Sequence, residues 1–279
     1  METLTLSSGT RLAYWQYNKN QKKTIVMIHG FRGTHHGLLK IAQQLPNYRI
    51  IVPDLPGFGD SMPFAEQTHS LESYIDFVDE FIEALKLNTP PILLGHSFGS
   101  IIASHFAASF PEKMSKLILI NPIGAPALEG PRAMLTRLAI MYYWLGKKLP
   151  REAASKWLAN PAIVRIMSLT MAKTSDKVLR AYIHDQHLRY FSNFTNPKVV
   201  AEAFRASVSH DVSQTVSTIT VPTLLIAGEK DDITPLEKQQ LLASKNPRMQ
   251  LKVIPDVGHL IHYEKPVEAA TLIERFLQQ

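Results

Sequence analysis

Ser97 lies in the pentapeptide Gly95-His96-Ser97-Phe98-Gly99, directly after the apolar run Pro91-Ile92-Leu93-Leu94 and at the opening of a helix-like stretch. This order predicts a sharp strand-to-helix turn that pushes the serine toward positive φ and packs strand against helix. Glycine is needed two residues before and two after it, because a β-carbon at either position would collide. A serine hydroxyl becomes a nucleophile only when a base takes its proton, an acid holds the base in the right tautomer, and amide donors await the oxyanion. Candidates follow in the order serine, carboxylate, imidazole. Carboxylates stand in Gly228-Glu229-Lys230-Asp231-Asp232-Ile233-Thr234-Pro235, after the apolar run 223–227, and His259 ends Asp256-Val257-Gly258-His259, after the run 251–254.

Such groups must be carried to one place by a scaffold. Residues 3–6 and 11–17 alternate apolar and polar about Ser7-Ser8-Gly9-Thr10, which predicts an antiparallel hairpin. Unalternating aliphatic runs follow at 24–28, 49–52, 92–94, 116–120, 223–227 and 251–254, the pattern of parallel strands buried on both faces. Helix-period segments lie between them at 37–45, 71–87, 98–109, 235–244 and 266–277. Strand and helix in alternation predict an α/β fold with a mostly parallel, twisted sheet flanked by helices. Catalytic groups in such sheets gather beyond the carboxyl ends of the strands, where Ser97, the 228–235 loop and His259 all fall.

From about residue 122 to 217 the alternation stops. Helices are predicted at 131–148, 150–160, 162–173, 175–190 and 197–209, each preceded or broken by Pro, Ser or Asn. The chain therefore divides into a core, residues 1–121 and 218–279, and an inserted helical cap, residues 122–217. Apolar stripes in the cap, Met134 to Leu145 and Ile166 to Met171, read as buried packing, with some side chains lining an apolar pocket.

Composition sets wider bounds. With 279 residues and 45% apolar content the chain can bury a large core. Thirty Lys and Arg against twenty-four Asp and Glu give +6, with the basic residues scattered and no basic stripe interleaved with aromatics, so nucleic acid is not an expected partner. A mild attraction for anionic substrates or lipid headgroups is compatible with that charge. The absence of cysteine excludes disulfides, thiolate nucleophiles and cysteine metal sites. No basic-then-apolar leader is read at the N-terminus, and no apolar run reaches the roughly 20 residues that span a bilayer, so a cytoplasmic location is expected.

Four segments together carry a family resemblance: His29-Gly30-Phe31-Arg32-Gly33, Asp54-Leu55-Pro56-Gly57-Phe58-Gly59-Asp60-Ser61, the Gly95–Gly99 pentapeptide, and Gly228 to Pro235 paired with Gly258-His259 followed by Glu264 and Pro266. In their order and spacing the chain resembles the α/β-hydrolase superfamily, in the carboxylesterase-like branch of serine hydrolases with a helical cap. The resemblance implies Ser97 as nucleophile, His259 as general base and Asp231 as the acid, since the family acid stands three residues after the glycine ending its strand. Asp232 is the rival, otherwise a solvated loop charge. It also implies an oxyanion hole from the backbone N–H groups of Phe31 and Phe98.

Other residues carry plainer readings. His29 braces the oxyanion loop, His96 packs or hydrogen-bonds locally, Pro56, Gly57 and Gly59 shape a tight loop, and Ser61 caps it. His35-His36, His184 with His187, and His210-Asp211 read as solvated or helix-surface groups, because no carboxylate-rich set accompanies them as a metal site would need. No metal and no cofactor is expected. The expected reaction is hydrolysis of a carboxylic ester or thioester with a hydrophobic portion, a small-molecule substrate. Alternatives on the same scaffold are a carbon–carbon bond hydrolase, for which Phe31-Arg32 and Thr34-His35-His36 make the oxyanion loop less glycine-rich than usual, or a non-catalytic ligand-binding protein.

Overall fold

A computed structural model describes residues 1–126 and 133–279. The hairpin forms as β1 (Glu2–Thr5) and β2 (Arg11–Tyr17), followed by β3 (Thr24–Ile28), α1 (His35–Gln43), β4 (Arg49–Pro53), α2 (Leu71–Ala84), β5 (Ile92–His96), α3 (Phe98–Ser109) and β6 (Lys116–Ile120). Five helices intervene: α4 (Ala133–Lys148), α5 (Arg151–Leu158), α6 (Pro161–Met171), α7 (Lys177–Tyr190) and α8 (Pro197–Ser209). The core then resumes with β7 (Thr223–Gly228), α9 (Leu236–Ser244), β8 (Met249–Ile254), the short α10 (Ile261–Glu264) and α11 (Pro266–Leu277). The expected start at Pro131 lies outside the described residues, and α10 is an element that the sequence pattern did not suggest.

The eight strands form one sheet in the order β1-β2-β4-β3-β5-β6-β7-β8, with β2 alone running against the rest. Every side chain of β3, β5 and β7 is buried, as the continuous apolar runs predict. Alternate residues face opposite layers. Val26, Ile28, Leu93 and Leu117 pack toward α2, α3 and α8, whereas Ile25, Met27, Leu94 and Ile118 pack toward α1 and α11. β8 departs from the expected pattern, exposing Gln250, Lys252 and Val253, because an edge strand is covered on fewer sides.

In the insertion, the helix starts follow the capping chemistry of the sequence. Asn160, Asp176 and Asn196 cap α6, α7 and α8 with side-chain oxygens that accept backbone N–H groups, and proline opens α6 and α8. Among the described residues no helix is long and apolar enough to cross a membrane.

Helix α3 lies tightly against β3 and β5. A β-carbon on Gly99 would sit 2.3 Å from the Ile28 carbonyl oxygen, and one on Gly95 would sit 2.3 Å from the Gly99 carbonyl oxygen. Gly99→Ala should therefore force the helix off the sheet and cost about 3 kcal/mol, measured as a lower urea midpoint. Gly37→Ala, in a helix where the nearest atom to the new β-carbon is 3.7 Å away, should be neutral or stabilising by up to about 1 kcal/mol.

Candidate active site

Ser97 bridges β5 and α3 with φ 53° and ψ −118°, a conformation L-residues avoid. Its N–H donates to the Ile120 carbonyl at 3.1 Å and its carbonyl accepts from Ser100 N at 2.8 Å, so backbone bonds from β6 and α3 hold the strained residue. His259 follows β8 and Asp231 follows β7, neighbouring strands in the sheet. Ser97 Oγ–H donates to His259 Nε2 at 2.8 Å, and His259 Nδ1–H donates to Asp231 Oδ2 at 2.8 Å. The three predicted side chains are thus joined in one relay.

Asp231 is buried and collects further donors. Asn121 Nδ2 reaches Oδ2 at 2.7 Å, Ile233 N and Thr234 N reach Oδ1 at 2.8 and 3.1 Å, and the Thr234 hydroxyl bonds Oδ2. Burial alone pushes the carboxyl pKa up, but the His259 imidazole and the hydrogen bonds from His259 and Thr234 outweigh it and hold it well below the ordinary carboxylate range. A carboxylate that stays ionised can only accept, which fixes His259 as the Nδ1–H tautomer with Nε2 free to take a proton. Asp232 lies apart from this relay, exposed and ion-paired with Lys173 of the segment after α6.

Asn121 was not singled out from the sequence. It sits one residue past β6 at φ 45°, and its amide also donates to the Gly258 carbonyl at 3.3 Å, tying the acid loop to the histidine loop. An Asn at a strand's carboxyl end is the available signal, since Asn tolerates positive φ.

Phe31 and Phe98, the expected oxyanion donors, line the same cavity as Ser97. Phe98 is the first residue of α3, where an N–H has no partner within its own helix, and among the described residues neither amide donates to another group. The Gly30 backbone runs so near that a β-carbon there would lie 3.1 Å from Ser97 Cβ. His29 is buried, donating from Nδ1 to the Gly30 carbonyl at 2.8 Å and accepting the Leu55 N–H on Nε2 at 2.9 Å. Both nitrogens are occupied and burial lowers its pKa, so His29 is a neutral brace for the loop, as expected. His96 also bonds locally, from Nε2 to the His259 carbonyl at 3.3 Å, and burial drives its pKa down to about 3. Ser61 caps its loop by donating to the Asp54 carbonyl at 2.7 Å and accepting the Ala13 N–H at 3.0 Å.

A cavity of about 690 Å³ opens on this relay. Its floor is His29, Gly30, Phe31, Ser97, Phe98 and His259, and its roof comes from the inserted helices through Ala139, Met167, Met171, Phe204 and Val208. The lining is mostly apolar, which suits a hydrophobic ligand portion. Of the cap stripes, Met167 and Met171 line the cavity and Tyr143 is buried, but Met134, Leu138, Met141, Trp144, Ile166 and Leu169 are exposed. They are not core, because among the described residues no further layer covers the outer side of α4 and α6.

The histidine pairs also differ from expectation. His35 is buried, stacks on Trp15 and bonds Asp54 through Nδ1 at 2.9 Å. His184 and His187 are buried one turn apart on α7, both turned to Ser168 Oγ, at 2.5 and 2.7 Å. Neighbouring aromatic and helical packing, invisible in a local window, buries them; His36 and His210 are part-exposed. Among the described residues no cluster of His, Asp and Glu could hold a metal ion.

Arg32 is the largest surprise. Next to Phe31, at φ 58°, it is fully buried, and its guanidinium donates to the Phe191 carbonyl at 2.7 Å, the Leu158 carbonyl at 2.8 Å and the Tyr143 hydroxyl at 3.3 Å. The loop carrying the predicted oxyanion donor is thereby pinned to α4, the end of α5 and the end of α7. Arg32→Met keeps length but removes these donors; it should cost about 3 kcal/mol and speed amide exchange at 158–160 and 191–195, with β3 and β5 unchanged. Identical exchange in both proteins would contradict the strut.

Comparison with known proteins agrees with this architecture. The profile of the alpha/beta hydrolase fold matches residues 23–266. Lipase 1 of Psychrobacter immobilis is 25% identical over 283 residues, covering 99% of this chain and 83% of that protein. Monoacylglycerol lipase ABHD6 of Mus musculus is 25% identical over 264 residues, covering 92% and 76%. Among solved structures, a thermophilic esterase from Thermogutta terrifontis superposes with a TM-score of 0.79 at 23% identity, covering 99% of this chain and 97% of the esterase. Sheet order, inserted helices and profile match converge, and the chain belongs to the alpha/beta hydrolase fold family.

Proposed function

We propose that this protein is a serine hydrolase of carboxylic esters or thioesters with a hydrophobic portion, built as a core of residues 1–121 and 218–279 under a cap of residues 122–217. One observation carries the reading: the unbroken chain of 2.8 Å hydrogen bonds from Ser97 through His259 to Asp231, at the floor of a largely apolar cavity. Similarity to a lipase and a monoacylglycerol lipase supports an ester as the substrate.

In the proposed cycle Ser97 Oγ attacks the carbonyl carbon as its proton passes to His259 Nε2, while ionised Asp231 steadies the imidazolium. The oxyanion of the tetrahedral intermediate takes hydrogen bonds from the Phe31 and Phe98 amides, each worth about 3 kcal/mol to the transition state. His259 returns the proton to the departing alcohol or thiol, leaving an acyl group on Ser97. Water then attacks that acyl group, losing a proton to His259, which passes it to Ser97 Oγ as the acyl–oxygen bond breaks and the carboxylic acid leaves. No step calls for a metal or a cofactor.

A series of p-nitrophenyl esters of rising chain length tests both chemistry and pocket depth. Ser97→Ala should lose at least about 10³-fold in kcat, and Asp231→Asn about 10⁴-fold through the wrong imidazole tautomer, whereas Asp232→Asn should stay within a few-fold. A fluorophosphonate probe should label Ser97 in the native protein. Undiminished turnover in Ser97→Ala would defeat the mechanism, and an unlabelled serine would favour a ligand-binding protein on the same fold.

A further inference from the structure

We propose that the outer face of α4 docks this protein on an anionic lipid surface. The net charge is not evenly spread: residues 122–217 hold thirteen Lys and Arg against six Asp and Glu, so the rest of the chain, with seventeen against eighteen, is nearly neutral. Within 133–171 the cations are Arg137, Lys147, Lys148, Arg151, Lys156 and Arg165, and the only acid is Glu152. All six are exposed, and among the described residues none is held in an ion pair.

On α4, Arg137 and Lys148 fall at helical spacing beside large exposed apolar side chains. Met134, Leu138, Met141 and Leu145 recur at spacings of four, three and four, one stripe along a helix about 24 Å long. Met134 is 73% exposed, and Leu138, Met141 and Trp144 are each more than half exposed. Ile166 and Leu169 are likewise exposed, on α6. The opposite side of α4 is already used, by buried Tyr143 and by Ala139 at the cavity.

An apolar stripe flanked by cations, with indole rings at its margin, is the pattern of a helix lying in a headgroup layer. Charge complementarity selects this partner. Two copies of the face would set like cations against each other, a repulsive pairing, whereas anionic headgroups neutralise them while the apolar stripe enters the acyl boundary. Docking in this pose would leave the cavity directly beneath the lipid surface. The inference is independent of the proposed reaction, because binding is read without turnover.

Flotation of the full chain with vesicles of phosphatidylcholine, alone or mixed equally with phosphatidylglycerol, tests it, followed by the emission of Trp144 and Trp157. The native protein and Ser97→Ala should both float with the anionic vesicles and shift their emission to the blue, and should bind neutral vesicles at least about tenfold more weakly. Arg137→Gln with Lys148→Gln, which changes only exposed polar groups, should weaken partitioning about thirtyfold. Leu138→Glu with Met141→Glu should abolish it, with circular dichroism and butyrate ester turnover in solution unchanged. The proposal falls if the native protein stays unbound, if it partitions equally onto neutral vesicles, or if sedimentation finds a dimer that Leu138→Glu with Met141→Glu dissolves, which would give the face to a second copy.

Discussion

Helix α3 presses so tightly on β3 at Gly99 that there is no room for a single carbon atom between its backbone and the Ile28 and His29 carbonyls. That contact sets the direction in which the chain leaves β5, and Ser97 must take up a positive φ to make the turn. The strain is sustained because the same approach is locked by the fully buried layers on both sides of β3 and β5. It also brings the Gly30–Phe31 backbone alongside Ser97, so one packing constraint positions the hydroxyl and both amides together.

The inserted helices are seated on the loops that frame the site rather than on the sheet at large. Gly59 N–H donates to the Asn193 carbonyl and Thr195 N–H to the Gly57 carbonyl, an antiparallel bridge between the 54–61 loop and the connection from α7 to α8. Gly57, at φ 89°, faces Val199 so closely that a β-carbon would lie 2.4 Å from it. Arg32 adds a buried cation answered by neutral carbonyls and a tyrosine hydroxyl rather than a carboxylate. Burying such a charge is costly unless its donors are used, so the arrangement penalises any pose of the cap that leaves them empty. The position of the inserted helices and the shape of the 29–33 loop are therefore coupled through one side chain.

Much of this was legible in the sequence because short-range chemistry writes it there. Buried parallel strands need continuous apolar runs, and 24–28, 92–94 and 223–227 have them; the elbow needs glycine at 95 and 99; helices α6, α7 and α8 begin at capping residues. Asp231 was separable from Asp232 only through the family resemblance, and it is Asp231 that the His259 imidazole bonds. Burial of single polar residues was not legible. His35, His184 and His187 look like surface groups in their own windows, and what covers them, Trp15, Asp54 and Ser168, comes from elsewhere in the chain or an adjacent helix.

The sequence by itself determined the α/β alternation, the insertion between β6 and β7, and the identity of the residues able to form a relay, since these follow from periodicity and local steric need. Only the tertiary structure decided that Asn121 bonds the Asp231 carboxylate, that Arg32 ties its loop to the inserted helices, and that Met134, Leu138, Met141 and Leu145 face outward. Each of those depends on which surfaces meet across more than a hundred residues of chain or on a missing outer layer, and a local pattern of residue types carries no record of either.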